Sequence, residues 1–179
     1  MSKYISVNDR FVYFWNEWPD IWYPAEFDVE VNSKKCHFFS AGHYFYYMKA
    51  ITFGDEEISR QILEDSDPER VVSLGYKVQG FDPDVWQEKC SQIMLDANVF
   101  KYSQNEDLKR LLLSPEYEGR IFVRRTSSFV HPSYISEEKI DTDLYKWHNC
   151  KIFGHYLYIG IVLNKTRSIL LSKECSPAY

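Results

Sequence analysis

The hydrophobic pattern along the chain changes period once, near residue 40. Before that point, Phe11-Val12-Tyr13-Phe14-Trp15 is a short β-prone aromatic run, and Phe27-Asp28-Val29-Glu30-Val31 alternates apolar with acidic residues. Alternation of that kind is the pattern of a half-buried strand. Asn32-Ser33-Lys34 reads as a turn into a returning Cys36-His37-Phe38-Phe39, so a small antiparallel sheet is predicted near the N-terminus. From Ser40 onward the spacing is helical. Ser40 is placed to cap a helix running to Phe53, and Asp55 to cap a second whose apolar stripe is Ile58, Ile62 and Leu63. Asp67-Pro68 and Asp82-Pro83 are paired start signals, a capping carboxylate followed by proline at the first helical position. Gly75 reads as the stop of the first of these helices. In the second, Trp86, Cys90, Ile93, Met94 and Ala97 recur at helical spacing, which predicts a long helix with one buried face. Asn105 caps a short helix ending in Leu111-Leu112-Leu113.

The last third is less legible. Arg120 to Arg125 reads as a strand, and the stretch from Thr126 to Trp147, with Pro132 inside it, reads as a loop. Loops of that length in compact domains are more often functional than idle. Gly154 to Leu171 is apolar and fits helix or strand equally. No repeat or linker divides the 179 residues, which suit one domain over 1–179. The expected class is α+β, a helix-rich single-domain fold with a small N-terminal antiparallel sheet.

Composition adds two constraints. With 14 tyrosines, the interior carries many hydroxyls that need partners, which suits either a core bordering a polar cavity or simply a tyrosine-rich core. The formal charge of −5 disfavours nucleic acid unless a local basic patch meets it. Lys34-Lys35 and the set Arg120, Arg124 and Arg125 are the local clusters. Cys36, Cys90, Cys150 and Cys175 lie far apart without metal-ligand spacing, so neither zinc nor a disulfide framework is expected, and no cofactor. Met1 to Arg10 lacks the apolar core of a signal peptide, and no apolar run reaches the roughly 18 residues of a membrane span. A soluble cytoplasmic protein without membrane contacts is expected, of unspecified oligomeric state.

Several blocks, in order, carry a family resemblance over about residues 11 to 170. Trp22-Tyr23-Pro24-Ala25-Glu26-Phe27 is similar to "NFYPAPF", and Phe39 through Lys49 to "YPTVEHAYQAAK", followed by Phe53-Gly54-Asp55 for "FGD". Val72-Ser73-Leu74-Gly75, Phe81-Asp82-Pro83-Asp84-Val85-Trp86 and Met94 resemble "LGR…FDxxxWxxxxxxxM". Lys101-Tyr102-Ser103-Gln104-Asn105 with Leu108 and Leu111-Leu112 resembles "KFxQNxxLxxxLL". Phe153-Gly154 stands for a late "LG". Together these blocks resemble the NADAR (YbiA-like) N-glycosidase family. The departures fall where that family keeps its chemistry. Its glutamate before His43 is Gly42, its arginine after "LG" is Tyr76, and its "SN" is Asp20-Ile21. Its late "D-x-x-W-G" has no counterpart near Phe129 and His131.

The resemblance implies cleavage of a ribose N-glycosidic bond, in early riboflavin intermediates or in ADP-ribose attached to guanine. Such a reaction develops positive charge at the anomeric carbon and needs an acid for the leaving base, roles that carboxylates normally fill. Gly42 can fill neither. Lys49 is the retained group able to act, either as a free amine forming a Schiff base with an opened ribose or as a phosphate-pairing cation. His43 either handles a proton or ribose hydroxyl, or is a satisfied core histidine. Glu17, Asp20 and Glu26 are either replacement carboxylates or surface charges. Trp86 belongs to the core, whereas Trp22, Tyr23 and Tyr44 offer flat faces for a base. Gln104 and Asn105 cap a helix beside the pocket, and Arg124 or Arg125, of which one can face inward, suits a pyrophosphate.

Three readings follow. The first is a domain that binds ADP-ribose, NAD or a related ribosyl nucleotide with hydrolysis impaired. The second is an active N-glycosidase that uses Lys49; nucleic acid is then a partner only if ADP-ribosylated guanine is the substrate. The third is an interaction module that has lost the pocket.

Overall fold

A computed structural model describes residues 4–124 and 158–174, and the chain divides into two compact units, residues 21–109 and residues 1–20 with 110–179. The expected loop over 126–147, Arg125 and the Phe153-Gly154 block lie outside the described residues.

The discontinuous unit is built on strands β1 (Ile5–Val7), β2 (Phe11–Phe14) and β5 (Ile121–Arg124). The sheet order is β1-β2-β5. The β1–β2 pair is antiparallel and β2 pairs in parallel with β5, from Phe11 opposite Ile121 to Phe14 opposite Arg124; the antiparallel hairpin expected near the N-terminus is a separate one, Phe27–Val31 with Lys34–Phe38. All four β2 residues are buried, which is why that run shows no alternation: a strand covered on both faces has no polar side. The apolar run ending at Leu171 resolves as a helix, Tyr158–Glu174, named α6 here. It approaches β5 so closely that a Cβ on Gly160 would overlap the Phe122 carbonyl. Trp18 packs edge-on to Phe122 and against Tyr117 of a 3₁₀ turn, Pro115–Tyr117. Arg167 of α6 donates to the carbonyls of Leu112, Leu113 and Ser114, the orphan acceptors at the end of helix α5 (Glu106–Leu112).

The continuous unit holds the hairpin β3 (Phe27–Val31) and β4 (Lys34–Phe38). The turn residues Asn32 and Ser33 sit at φ +50° and +62°, the left-handed pair that a two-residue hairpin requires. Four helices follow: α1 (Ala41–Thr52), α2 (Glu56–Glu64), α3 (Pro68–Tyr76) and α4 (Pro83–Gln104). Each starts where a side chain takes its free amides: Ser40 Oγ accepts from His43 N, Asp55 from Ile58, Asp67 from Glu69 and Arg70, Asp82 from Asp84 and Val85. Gly75 is not the stop that the sequence suggests. It lies inside the last turn of α3, whose C-cap is Lys77, and its lack of a side chain serves packing instead. Helix α1 touches the hairpin and α2, α3 and α4, and its core partners are aromatic. Tyr44 packs edge-on to Phe38 and Phe100 and at an angle to Phe27, and Phe45 packs edge-on to Trp86.

Among the described residues no helix is long and apolar enough to cross a membrane, and no His/Cys/Asp/Glu cluster could hold a metal ion.

Asp55 joins two parts of this unit. One carboxylate oxygen accepts from Ile58 N at 3.0 Å and the other from Gln79 N at 2.9 Å, tying the start of α2 to the loop after α3. Replacing Asp55 by Ala removes a cap and that tether together. We expect a loss of about 1–2 kcal/mol in urea unfolding, with Asp55→Asn losing clearly less because it keeps an acceptor for Ile58. Equal losses in the two variants would refute the capping account.

Candidate functional site

Helix α1 places Gly42, Tyr46, Lys49 and Phe53 on one stripe, spaced by four, three and four residues. Gly42 N–H donates to the Ile21 carbonyl at 2.9 Å, which seats the incoming loop on the first turn of the helix. The next residue in that loop, Trp22, lies against Gly42. A Cβ added at Gly42 would sit 2.7, 2.8 and 2.9 Å from three indole atoms, well inside van der Waals contact. The indole stacks on Tyr46, centroids 5.8 Å apart and planes 20° apart. Tyr46 in turn reaches α3, where a Cβ on Gly75 would overlap its ring.

Lys49 stands one turn further on. Its ammonium donates to the Gly75 carbonyl at 2.8 Å and lies 4.3 Å from the Phe81 ring centre and 5.8 Å from that of Tyr76. Phe53 packs edge-on to Phe81 at 5.3 Å. Among the described residues no carboxylate pairs with Lys49, and burial pushes its amine below the usual lysine range. Burial, with a smaller contribution from Tyr76, raises the Tyr46 hydroxyl to about 12. Tyr76 is 78% exposed and Phe81 44%, so the cluster opens to solvent. It is a cation among aromatic rings, with a neutral phenol beside it.

The other residues singled out by sequence fall elsewhere. His43 is buried with both ring nitrogens engaged: Nδ1 accepts from Phe39 N at 3.1 Å and Nε2 donates to the Ile62 carbonyl at 2.6 Å. Those partners fix the neutral tautomer, and burial lowers its pKa. Tyr44 is in the aromatic core, its hydroxyl raised to about 12 chiefly by burial. Tyr23, Gln104 and Asn105 line a separate cleft of about 510 Å³ with Glu106 and Asp107. Gln104 exchanges two hydrogen bonds with the Asp28 backbone, and Asn105 donates to the Glu26 and Lys101 carbonyls. That cleft is therefore lined by two carboxylates and by amides already tied to backbone groups, poor company for a phosphate. In the other unit, Arg124 pairs with buried Asp20 at 2.7 Å and lies 5.3 Å over Trp15. Exposed Glu26 stands 3.6 Å from His37, and Glu17 accepts from Asp20 N through its backbone carbonyl.

Of the predicted residues, Trp22, Gly42 and Lys49 come together. Tyr46, Gly75 and Phe81 join them without having been singled out for the site. The spacing of four from Gly42 to Tyr46 was the one local signal for them; the α3 contribution needed the tertiary fold. Lys101 is a further surprise, a fully buried lysine 5.7 Å from the Tyr23 ring centre.

The NADAR domain pattern matches residues 13–127, which contains every element of this cluster. The chain belongs to the NADAR family. N-glycosidase R617 of Acanthamoeba polyphaga mimivirus is 26% identical over 137 residues, 76% of this chain and 81% of that protein. Protein irg-1 of Caenorhabditis elegans is 34% identical over 87 residues, which cover 48% of this chain and 41% of that protein. The NMR structure of the E. coli protein YbiA matches with a TM-score of 0.64 at 18% identity, over 100% of this chain and 98% of that one. That likeness fixes the fold, an α+β arrangement of the YbiA type. Family membership ties the chain, in general terms, to ribosyl-nucleotide chemistry.

The geometry of His43 makes a measurable claim. A buried histidine with a lowered pKa stays neutral in the fold while the unfolded chain takes up a proton near pH 6.5. Its contribution to stability is therefore complete above that pH and declines as the pH falls toward the lower folded value. We expect His43→Gln to be less stable at pH 7 by about 1–3 kcal/mol, and to lack the part of the acid-induced loss that His43 causes. Parallel stability–pH curves for the two proteins would refute this role.

Proposed function

We propose that this NADAR domain binds ADP-ribose, NAD or a related ribosyl nucleotide, with its capacity for hydrolysis impaired. One observation carries the reading: at the first turn of α1 the volume next to residue 42 is filled by an indole, not a carboxylate. Cleavage of a ribose N-glycosidic bond develops positive charge at the anomeric carbon, which a nearby anion stabilises. An indole and a lysine ammonium cannot supply that anion. The same two groups do suit a nucleotide, since Lys49 matches a phosphate and the half-buried indole of Trp22 matches a base.

A second reading, an active N-glycosidase, draws on the lowered pKa of Lys49, which leaves more free amine at neutral pH than a surface lysine has. The amine would attack the anomeric carbon and displace the base, which leaves with the bonding electrons and takes up a proton; ring opening would then leave an imine, which water hydrolyses. Binding and turnover separate the two readings. Calorimetry with ADP-ribose tests the first, and borohydride trapping with ribosylated guanine tests the second.

We expect Lys49→Ala to weaken ADP-ribose binding by about ten- to a hundredfold, in keeping with about 1.5–3 kcal/mol for a hydrogen bond to a charged group, and Lys49→Arg to keep most of the affinity. Because burial lowers the Lys49 pKa, affinity should fall with rising pH at lower pH than for an ordinary lysine, as the cation that pairs with phosphate is lost. Unchanged affinity in Lys49→Ala would end the binding reading at this site; an adduct trapped in wild type but not in Lys49→Arg would favour the enzyme.

A further inference from the structure

Glycine inside a helix costs about 1 kcal/mol relative to alanine, so a glycine at the second position of α1 calls for a reason. Backbone conformation is not that reason, because Gly42 is absent from the positive-φ glycines Gly54, Gly80 and Gly119. Space is the reason. Three indole atoms of Trp22 stand 2.7–2.9 Å from where its Cβ would be. The indole has little freedom to retreat. Its loop is held on one side by the Gly42 N–H bond to Ile21 and on the other by Ala25 N donating to Phe39 at 3.1 Å. Its ring stacks on Tyr46, and Tyr46 is held against Gly75. Trp22 and Gly42 are one structural unit, in which the indole replaces a side chain at position 42.

We propose, resting on the ribosyl-nucleotide reading above, that Trp22 is a specificity-determining residue which makes this site select a dinucleotide whose second ribose still carries its N-linked base, as in NAD, over one whose second ribose has lost it, as in ADP-ribose. Trp22 is only half-buried, so a ligand can reach it. An aromatic ring at this end of the cluster favours a planar base, and a cationic pyridinium most of all, because the ring face is electron-rich. Lys49, two turns along the same face of α1, is left for the phosphates. A base retained on the ribose then contributes to binding, whereas an acid in the same place would favour its loss.

The test is a double-mutant cycle of Gly42→Ala and Trp22→Ala, with Trp22→Phe as a milder third variant, read by thermal unfolding and by calorimetry with NAD and ADP-ribose as probes. Wild type is expected to bind NAD at least tenfold more tightly than ADP-ribose, and Trp22→Ala to bring that ratio near one while ADP-ribose affinity changes little. Trp22→Phe should fall between the two. Gly42→Ala should lower the unfolding midpoint in the wild-type background and raise it in the Trp22→Ala background, where helix propensity alone remains. The proposal is overturned if Trp22→Ala weakens both probes by the same factor, or if Gly42→Ala raises the midpoint with Trp22 in place. If wild type binds neither probe, the ribosyl-nucleotide reading is overturned and ligand selection with it, while the sign reversal in the midpoint still reports the packed pair.

Discussion

Helix α1 has too little polar surface for the number of neighbours it serves, and that constraint organises the continuous unit. Seven of its twelve residues are buried, so almost every direction around the helix meets another element. A helix covered all round cannot hide an unsatisfied polar atom. The polar groups at positions 40, 43 and 49 are matched locally. Ser40 takes a first-turn amide, His43 bridges β4 to the end of α2, and Lys49 crosses to the carbonyl of Gly75 on α3. The close approach of α3 that makes this last bond possible depends on Gly75 having no side chain where Tyr46 lies.

The same burial shifts His43 and Lys49 in the same direction but leaves them fit for different uses. Both lose proton affinity because the charged form is poorly solvated. For His43 the outcome is a neutral ring whose two nitrogens are used up by backbone groups, which leaves it a structural tie. For Lys49 the partner is a single carbonyl, and the rings around it are partly open to solvent. The lysine retains donors for a ligand, whereas the histidine has none left. Position on the helix decides this: residue 43 faces the hairpin and α2, while residues 42, 46 and 49 share the stripe facing the Trp22 loop and α3.

What the sequence made legible was local. Caps at Ser40, Asp55, Asp67 and Asp82 and the Asn32-Ser33 turn need only a few neighbouring residues, and each element starts or turns where those residues stand. The parallel partner of β2 was not legible, because β5 lies far down the chain and a strand buried on both faces shows no period. Gly75 misled for a related reason. A glycine near a helix end reads as a stop, yet here it answers to Tyr46, a residue from another helix. The site divides the same way. Gly42 and Lys49 were visible from the resemblance of their helix to the family's block, whereas Phe81 required α3 to be folded onto α1. The pairing of Arg124 with Asp20 joins residues 104 positions apart in the sequence, and no local pattern announces it.

The absence of an acid at position 42 is more than a single lost side chain. Had glutamate simply been replaced by glycine, the helix would have kept an open place into which an acid could be returned. Instead the indole of Trp22 occupies that place, Tyr46 supports the indole, and Gly75 makes room for Tyr46. Returning a carboxylate would push the indole against a stack whose far side is a helix backbone, and overpacking of that kind typically costs about 1–3 kcal/mol. The first turn of α1 is therefore built around an aromatic ring, and no side chain can be added at position 42 without displacing the indole.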